Sequence, residues 1–215
     1  MLFRSWAYEV GTKNLLADGR AEFNLAGFYY DYTNLQLRSV VFTPDGFFTK
    51  INNASSATVR GVEVAASYAP TDWLTLDFAG AYIDSELKDF TLPGTETPTS
   101  GLPLPLTPDT SFTVGAEFRT PLGGGQLTAR AEITRQSQVL FPNFTDVKRE
   151  RQDAYSLVNA NLRYDLPGGK VYVALIGRNL TDETYLSSRF YYEGFSDLEI
   201  YAAPRTVEAR VGFSY

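Results

Sequence analysis

The feature that most constrains the fold of this chain is the alternation of short and long links along its whole length. Nine stretches alternate apolar and polar residues with a period of two, which is typical of β-strands with two different faces. The short links lie near residues 17–19, 70–72, 121–125 and 167–169. The other links lie near residues 44–46, 87–109, 138–153 and 183–203. Because consecutive antiparallel strands send successive links to opposite ends of a sheet, we expect the tight turns at one end and the long loops at the other.

The two faces of the predicted strands differ in chemistry. One face of the sixth stretch carries Leu127, Ala129, Ala131 and Ile133. The opposite face of this stretch carries Arg130 and Glu132. In the second stretch, about residues 20–40, the alternation becomes unclear at Tyr30-Asp31-Tyr32. A soluble barrel or sandwich turns its apolar face inward, and a membrane barrel turns it out to lipid around a polar interior. The period alone is compatible with both.

Three features favour the membrane barrel. Full charges recur on the polar face, and aromatic residues such as Trp6, Trp73 and Tyr215 recur near strand ends, where an interfacial girdle would lie. The alternation of short and long links is the third, since bacterial outer-membrane barrels have short periplasmic turns and longer extracellular loops. We therefore expect an all-β fold, an antiparallel transmembrane β-barrel.

The composition excludes several classes of site. The 215-residue chain contains no cysteine and no histidine, which excludes a disulfide scaffold, a CxxC zinc site and a histidine-based catalytic triad. Its formal net charge of −6 argues against a nucleic-acid-binding surface. The acidic residues Asp182, Glu183, Asp197 and Glu199 lack an EF-hand spacing and are expected in a solvated loop. We expect no catalysis, no cofactor and no metal site.

The direction of the strands predicts an incomplete barrel. The last strand leaves a long loop and ends at the short-turn side, so counting back places the start of the first strand on the long-loop side. Bacterial single-chain barrels have an even number of strands. Nine strands would also close with the first and last strands parallel. We therefore expect the chain to be the C-terminal part of a larger barrel.

Several motifs resemble those of the TonB-dependent outer-membrane receptors, in the order expected for the C-terminal part of their barrel. The motifs are YEVGTK at Tyr8–Lys13, NASSATVRGVEV at Asn53–Val64, LPLTP at Leu104–Pro108, GRNLTDETY at Gly177–Tyr185 and APRT at Ala203–Thr206. The resemblance covers almost all of the chain. It implies that residues 1–215 form about nine of about 22 barrel strands and that the signal peptide, the TonB box and the plug are absent.

The resemblance also implies a function and partners. TonB-dependent receptors take up scarce nutrients, most often ferric siderophores, across the bacterial outer membrane. The expected partners are outer-membrane lipid, a small ligand such as an iron chelate, the barrel assembly machinery, and TonB only through the missing plug. The alternative is a small self-contained barrel, either a passive pore or a soluble ligand-binding barrel, which would require residues 1–215 to close alone.

Two groups of residues are candidate sites. Aromatic and arginine residues of the predicted long loops are candidates for ligand contact, with loop packing as the alternative role: Arg135, Phe141, Phe144, Arg189, Tyr191, Tyr192 and Phe195. The second group alternates along the last strand: Val207, Ala209, Val211, Phe213 and Tyr215. This pattern resembles the C-terminal signal that the assembly machinery recognises. An exposed edge of this kind can pair with another sheet.

Overall fold

The computed structural model describes residues 3–43, 46–53, 56–88, 100–142, 148–192 and 196–213. These residues form fifteen β-strands and a short 3-10 turn at Ala17–Gly19. The strands are β1 Arg4–Leu16, β2 Ala21–Thr33, β3 Gln36–Thr43, β4 Gly46–Asn53, β5 Ser56–Thr71, β6 Leu74–Lys88, β7 Thr110–Leu122, β8 Gly125–Gln136, β9 Val139–Leu140, β10 Arg151–Gln152, β11 Tyr155–Asp165, β12 Val171–Arg178, β13 Leu186–Tyr192, β14 Ser196–Tyr201 and β15 Thr206–Phe213. No helix in this part of the chain has the length and apolar character needed to span a bilayer.

Nine of the strands form one antiparallel sheet in the order β1-β2-β5-β6-β7-β8-β11-β12-β15. The other six form three hairpins, β3–β4, β9–β10 and β13–β14, which are inserted between consecutive strands of the sheet. The nine strands of the sheet are the nine stretches that the period-two alternation predicts, and each pairs with the next one along the chain. The predicted all-β, antiparallel fold is confirmed.

The links between sheet strands alternate in length as predicted. The tight links are residues 17–20, 72–73, 123–124 and 166–170, and together they define the short-turn end of the sheet. The links that define the long-loop end are residues 34–55, 89–109, 137–154 and 179–205. Gly123 and Gly124 have φ of 55° and 81°, the positive values that a two-residue hairpin turn requires at both positions. Glycine adopts them at no steric cost.

The second strand was predicted to span about residues 20–40, and its predicted C-terminal end is wrong. β2 ends at Thr33, and Asn34 follows with a φ of 56°, a left-handed conformation that asparagine tolerates better than most residues. The chain then forms the separate hairpin β3–β4. Up to Thr33 the alternation is unbroken, so Tyr30 and Tyr32 share a face with Asn24.

The two edge strands of the sheet, β1 and β15, do not pair with each other. Within the described residues β1 pairs with β2 alone and β15 with β12 alone. The nine strands therefore form an open sheet and do not close a barrel.

The buried apolar core lies at the long-loop end. Ala57 and Leu87 are fully buried there and Leu140 is 3% exposed. The side chains packed against them are Tyr32, Leu35, Leu37, Leu102 and Leu104. The backbone of the 100–106 segment joins this core, since Gly101 N donates to Leu87 O at 2.9 Å. The long loops thus fold back against the end of the sheet as a packed layer.

Candidate functional site

One face of the sheet, here called the apolar face, is uncovered. Its side chains include Val10 at 78% exposure, Ile133 at 48%, Val207 at 63% and Phe213 at 68%. The predicted set Leu127, Ala129, Ala131 and Ile133 shares this face of β8. An apolar surface of this extent is unusual on a soluble monomer and marks a contact with an apolar partner.

The opposite face, here called the polar face, carries an ion-pair network across β6, β7 and β8. Arg130 on β8 contacts Asp77 on β6 through two hydrogen bonds of 2.6 and 3.0 Å. Its Nη2 also donates to Glu132 Oε2 at 3.3 Å. β7 lies between the two strands, and its Gly115 occupies the position that the pair crosses. A Cβ at Gly115 would lie 2.6 Å from Arg130 Nη2 and 2.7 Å from Asp77 Oδ1, so any larger residue there would displace the pair.

Asn179 continues this network into the GRNLTDETY motif. Glu132 Oε1 accepts a hydrogen bond from Asn159 Nδ2 at 3.3 Å, and Asn159 Oδ1 accepts one from Asn179 N at 3.0 Å. Asn179 is 5% exposed, and its side chain bonds Glu183 N and O at 2.8 Å each and Ala203 O at 3.4 Å. Asn179 thus fastens the end of β12 to the segment that leads into β15, which is a structural reason for an asparagine in this motif.

Arginines also lie on the polar face of β11, β12 and β15. The Arg163 guanidinium lies 3.7 Å from the centroid of the Tyr172 ring and pairs with Asp165 at 2.6 Å. The Tyr172 ring covers Gly212 on β15, whose backbone leaves room for it. Further along the same face, Glu208 pairs with Arg178 and Arg210. Each of these three arginines has a carboxylate partner, and Arg178 and Arg210 share Glu208.

A row of aromatic rings, which we call the aromatic ladder, lies on the polar face of β2 and continues to the residue just before β1. It consists of Phe28, Tyr30, Tyr32 and Phe3. The row is not predicted from the sequence, because aromatic residues occupy both faces at Tyr29 and Tyr30 and hide the alternation. The signal was present, since Glu22, Asn24 and Ala26 set the even-numbered face that the rings continue.

The predicted ligand-contact residues separate into three environments. Phe141 is 2% exposed, and its backbone N donates to Glu150 O at 2.8 Å, so it is part of the loop packing. Glu150 is fully buried, and its carboxylate accepts a hydrogen bond from Tyr191 N at 3.3 Å. The Arg149 guanidinium lies 4.4 Å from the centroid of the Tyr191 ring. These contacts join the β9–β10 and β13–β14 hairpins into one unit.

Arg189 and Arg135 occupy the other two environments. Arg189 pairs with Asp197 and Glu199 at 3.1 Å each, and its hydrogen bonds to Asp197 raise the pKa of Arg189 above its ordinary value. The predicted loop position of Arg135 is wrong, because β8 extends to Gln136 through pairing with β11. Arg135 points to the apolar face, where its Nη1 donates to Ser156 Oγ at 3.1 Å. A role of either arginine in ligand contact stays a prediction.

The structure describes only some of the remaining predicted residues. Tyr192 is the last residue of β13, while Phe144, Phe195 and Tyr215 lie outside the described residues. Val207, Ala209, Val211 and Phe213 lie on the exposed apolar face of β15, at an edge of the sheet. Their role as an assembly signal stays a prediction.

The acidic residues near the last long loop are not brought together. Asp182 pairs with Arg205, whereas Asp197 and Glu199 pair with Arg189. Among the described residues no three carboxylates, histidines or cysteines converge in a group that could hold a metal ion.

Comparison with known proteins gives one family. Residues 3–180 match the family model described as TonB dependent receptor-like, beta-barrel. Among solved structures, the chain is similar to the ferric yersiniabactin uptake receptor FyuA from Yersinia pestis, with 22% identity, a TM-score of 0.78, and coverage of 99% of this chain and 30% of that chain. It is similar to the siderophore receptor PiuA from Acinetobacter baumannii, with 22% identity, a TM-score of 0.74, and coverage of 98% and 28%.

A third similar structure is the copper transporter OprC, with 17% identity, a TM-score of 0.73, and coverage of 99% of this chain and 32% of that chain. The chain therefore spans between 28% and 32% of the length of these three structures. At these identities the structural likeness establishes the fold alone.

Proposed function

The chain belongs to the TonB-dependent receptor family, within the β-barrel, and from this premise we propose that it forms part of the wall of an outer-membrane receptor that takes up a ferric siderophore. Proteins of this family are transport receptors of the Gram-negative outer membrane. The whole receptor would provide transport, and residues 1–215 would provide the C-terminal strands of its barrel.

The observation that carries the proposal is the contrast between the two faces of one open sheet. Val10, Ile133 and Phe213 are exposed on the apolar face, while Asp77 and Arg130 are paired on the other. Membrane barrels require this arrangement, because lipid contacts every second side chain and water contacts the others. In the proposal the apolar face contacts outer-membrane lipid and the polar face lines the interior.

The open sheet argues against the small self-contained barrel. A nine-stranded closure would place β1 beside β15, and these strands have no pairing with each other in the described residues. Unpaired edges of this length expose many backbone hydrogen-bonding groups, which is not tolerated in hydrocarbon. Both edges are expected to pair with further strands of the same barrel.

The partners follow from the same assignment. TonB would act through the plug of the whole receptor and would not contact this chain directly. The barrel assembly machinery would recognise the terminal strand, whose exposed apolar residues Val207, Val211 and Phe213 lie on a free edge. Strand addition to such an edge is a general mode of recognition.

The choice of an iron chelate rests on the functions of structurally similar receptors. FyuA is a ferric yersiniabactin uptake receptor and PiuA is a siderophore receptor, while OprC is a copper transporter. Uptake of radioactive iron as ferric siderophores, in cells that carry or lack the receptor, tests the proposal. We expect uptake that depends on the receptor and stops when the proton gradient is dissipated. Receptor-dependent uptake of copper, with none of iron, would show that the assigned cargo is wrong.

A further inference from the structure

The aromatic ladder is a continuous surface on the polar face, near the long-loop end. The ring centroids of Phe28 and Tyr30 are 5.1 Å apart with planes at 21°, and those of Tyr30 and Tyr32 are 6.2 Å apart. Phe3, which immediately precedes β1, extends the row by stacking on Tyr32 at 5.8 Å. Such spacings are within the range of favourable ring–ring contact. The four rings therefore form one surface in place of the charged residues found elsewhere on this face.

The neighbours of the ladder are small. Ser5 and Ala7 lie opposite Tyr32 and Tyr30 on β1, and on the other side Val59 lies opposite Tyr30. Gly61 lies opposite Phe28, and a Cβ there would meet the Phe28 ring at 2.7 Å, so the ring lies against bare backbone. Phe28, Tyr30 and Tyr32 all remain partly exposed. The rings thus stand above their surroundings and can contact a ligand.

The charge beside the ladder is negative. Glu9 lies directly opposite Phe28 on β1, and Glu63 follows Gly61 on the same face of β5. Lys13 is the first described cation along this face of β1, four residues beyond Glu9. The arginines of the polar face lie instead on β7, β8, β11, β12 and β15. A strongly anionic ligand would be repelled at the ladder, whereas a cation would be attracted by both the carboxylates and the rings.

A groove at the lower end of the ladder has the size of a ligand site. Its volume is about 890 Å³, and its lining includes Asn24 and Thr113, the carboxylates of Glu9 and Glu63, and one cation, Lys13. Sites for small molecules usually measure about 300–1,000 Å³. Glu9 lines the groove and lies directly opposite Phe28, so a molecule in contact with the Phe28 ring also lies next to this carboxylate.

We propose that the aromatic ladder binds a ferric chelate built on aryl rings and carrying no net negative charge. This inference rests on the proposed uptake function and narrows its substrate class. Stacking on Phe28 and Tyr30 would supply affinity, and Glu9 with Glu63 would select against anionic chelates. Rings hold flat ligands well because two side-chain torsions position a large rigid surface.

Three probes separate the aryl requirement from the charge requirement. They are the iron(III) complex of salen, a cationic aryl chelate, the tris-catecholate complex of iron(III), an anionic aryl chelate, and ferrioxamine B, a cationic chelate without aryl rings. Binding to the purified full receptor is measured by isothermal titration calorimetry. We expect the salen complex to bind at least about tenfold more tightly than either other probe, which corresponds to about 1.4 kcal/mol.

Variants assign the preference to the ladder. Tyr30→Ala should weaken binding of the salen complex about tenfold, as loss of one stacking ring does elsewhere, whereas Tyr30→Phe keeps the ring and should keep the affinity. Tyr82→Ala is the matched control, because Tyr82 is exposed on the apolar face. Glu9→Lys should shift the preference toward the tris-catecholate complex.

Each other outcome overturns the inference. Equal binding of the three probes, tightest binding of the tris-catecholate complex, or no effect of Tyr30→Ala would show that the ladder does not select the ligand, while iron uptake itself would stand. If the receptor neither binds nor transports any iron chelate, the proposed function fails and this inference fails with it.

Discussion

Arg130 and Asp77 pair across an intervening strand, 53 residues apart in sequence, directly over the bare backbone of Gly115. Two parallel hydrogen bonds between a guanidinium and a carboxylate are among the stronger polar contacts in proteins. Because β7 lies beneath the pair, the contact ties three strands together on the polar face.

Substitution of Gly115 tests this relationship. In Gly115→Ala the new methyl would collide with Asp77 and Arg130 and separate them, which we expect to lower the free energy of unfolding by about 1–3 kcal/mol. The measurement is urea unfolding of the folded receptor in detergent. Gly27→Ala is the matched control, since its Cβ would meet no atom closer than 4.0 Å. Equal losses in both variants would mean that the pair contributes nothing.

The two faces of β8 should respond differently to charge. Ala131→Arg would place a guanidinium on the exposed apolar face and should cost about 2–4 kcal/mol near the middle of the membrane. Thr128→Arg places the same group on the polar face and should cost far less. Folding into lipid vesicles, followed by denaturant titration, gives both values. Similar costs would contradict the assignment of the apolar face to lipid.

The orientation of the sheet can be read with single cysteines, because the chain has none of its own. Ser100→Cys lies at the long-loop end and Lys170→Cys at the short-turn end, and both native side chains are exposed. On intact cells that express the full receptor, a membrane-impermeant maleimide should label the first and not the second. Both should react after the outer membrane is permeabilised. The reverse labelling would invert the topology.

Among the polar residues of the GRNLTDETY motif, Asn179 should be the one whose substitution destabilises the receptor most. Asn179→Ala removes three side-chain hydrogen bonds to the backbone of Glu183 and Ala203, at a combined cost of about 1–3 kcal/mol. Its φ of 49° adds a preference for asparagine over alanine. Thermal unfolding of the receptor reports the loss. Asn161→Ala, at an exposed position on β11, is the control and should change little.

Deletion of Tyr215 tests the assembly signal. If the machinery reads the alternating terminal residues, the yield of receptor in the outer membrane should fall several-fold when Tyr215 is removed. The stability of the receptor that does insert should fall by only about 1–3 kcal/mol, the contribution of one ring. Yield is measured by immunoblotting of membranes and stability by thermal melting. An unchanged yield would reduce Tyr215 to an ordinary girdle residue.

The sequence alone predicts the nine strands of the main sheet, the alternation of link lengths and the chemistry of the two faces, but not the three hairpins within the long links. These are local properties, because a period of two and turn residues such as Gly123 and Gly124 act within a few positions. For the same reason, the sequence of β8 alone predicts which of its residues share the apolar face, namely Leu127, Ala129, Ala131 and Ile133. The absence of cysteine and histidine likewise excluded whole classes of chemistry without any structure.

Tertiary structure decided which residues meet. The pair of Arg130 with Asp77 depends on the register of two strand pairs, and a slip of one residue would move every side chain to the other face. Burial of Phe141 and of the Glu150 carboxylate depends on the packing of one loop hairpin against another. The aromatic ladder combines both levels, since alternation places Tyr30 on the polar face and only the register sets it among small neighbours and beside Glu9.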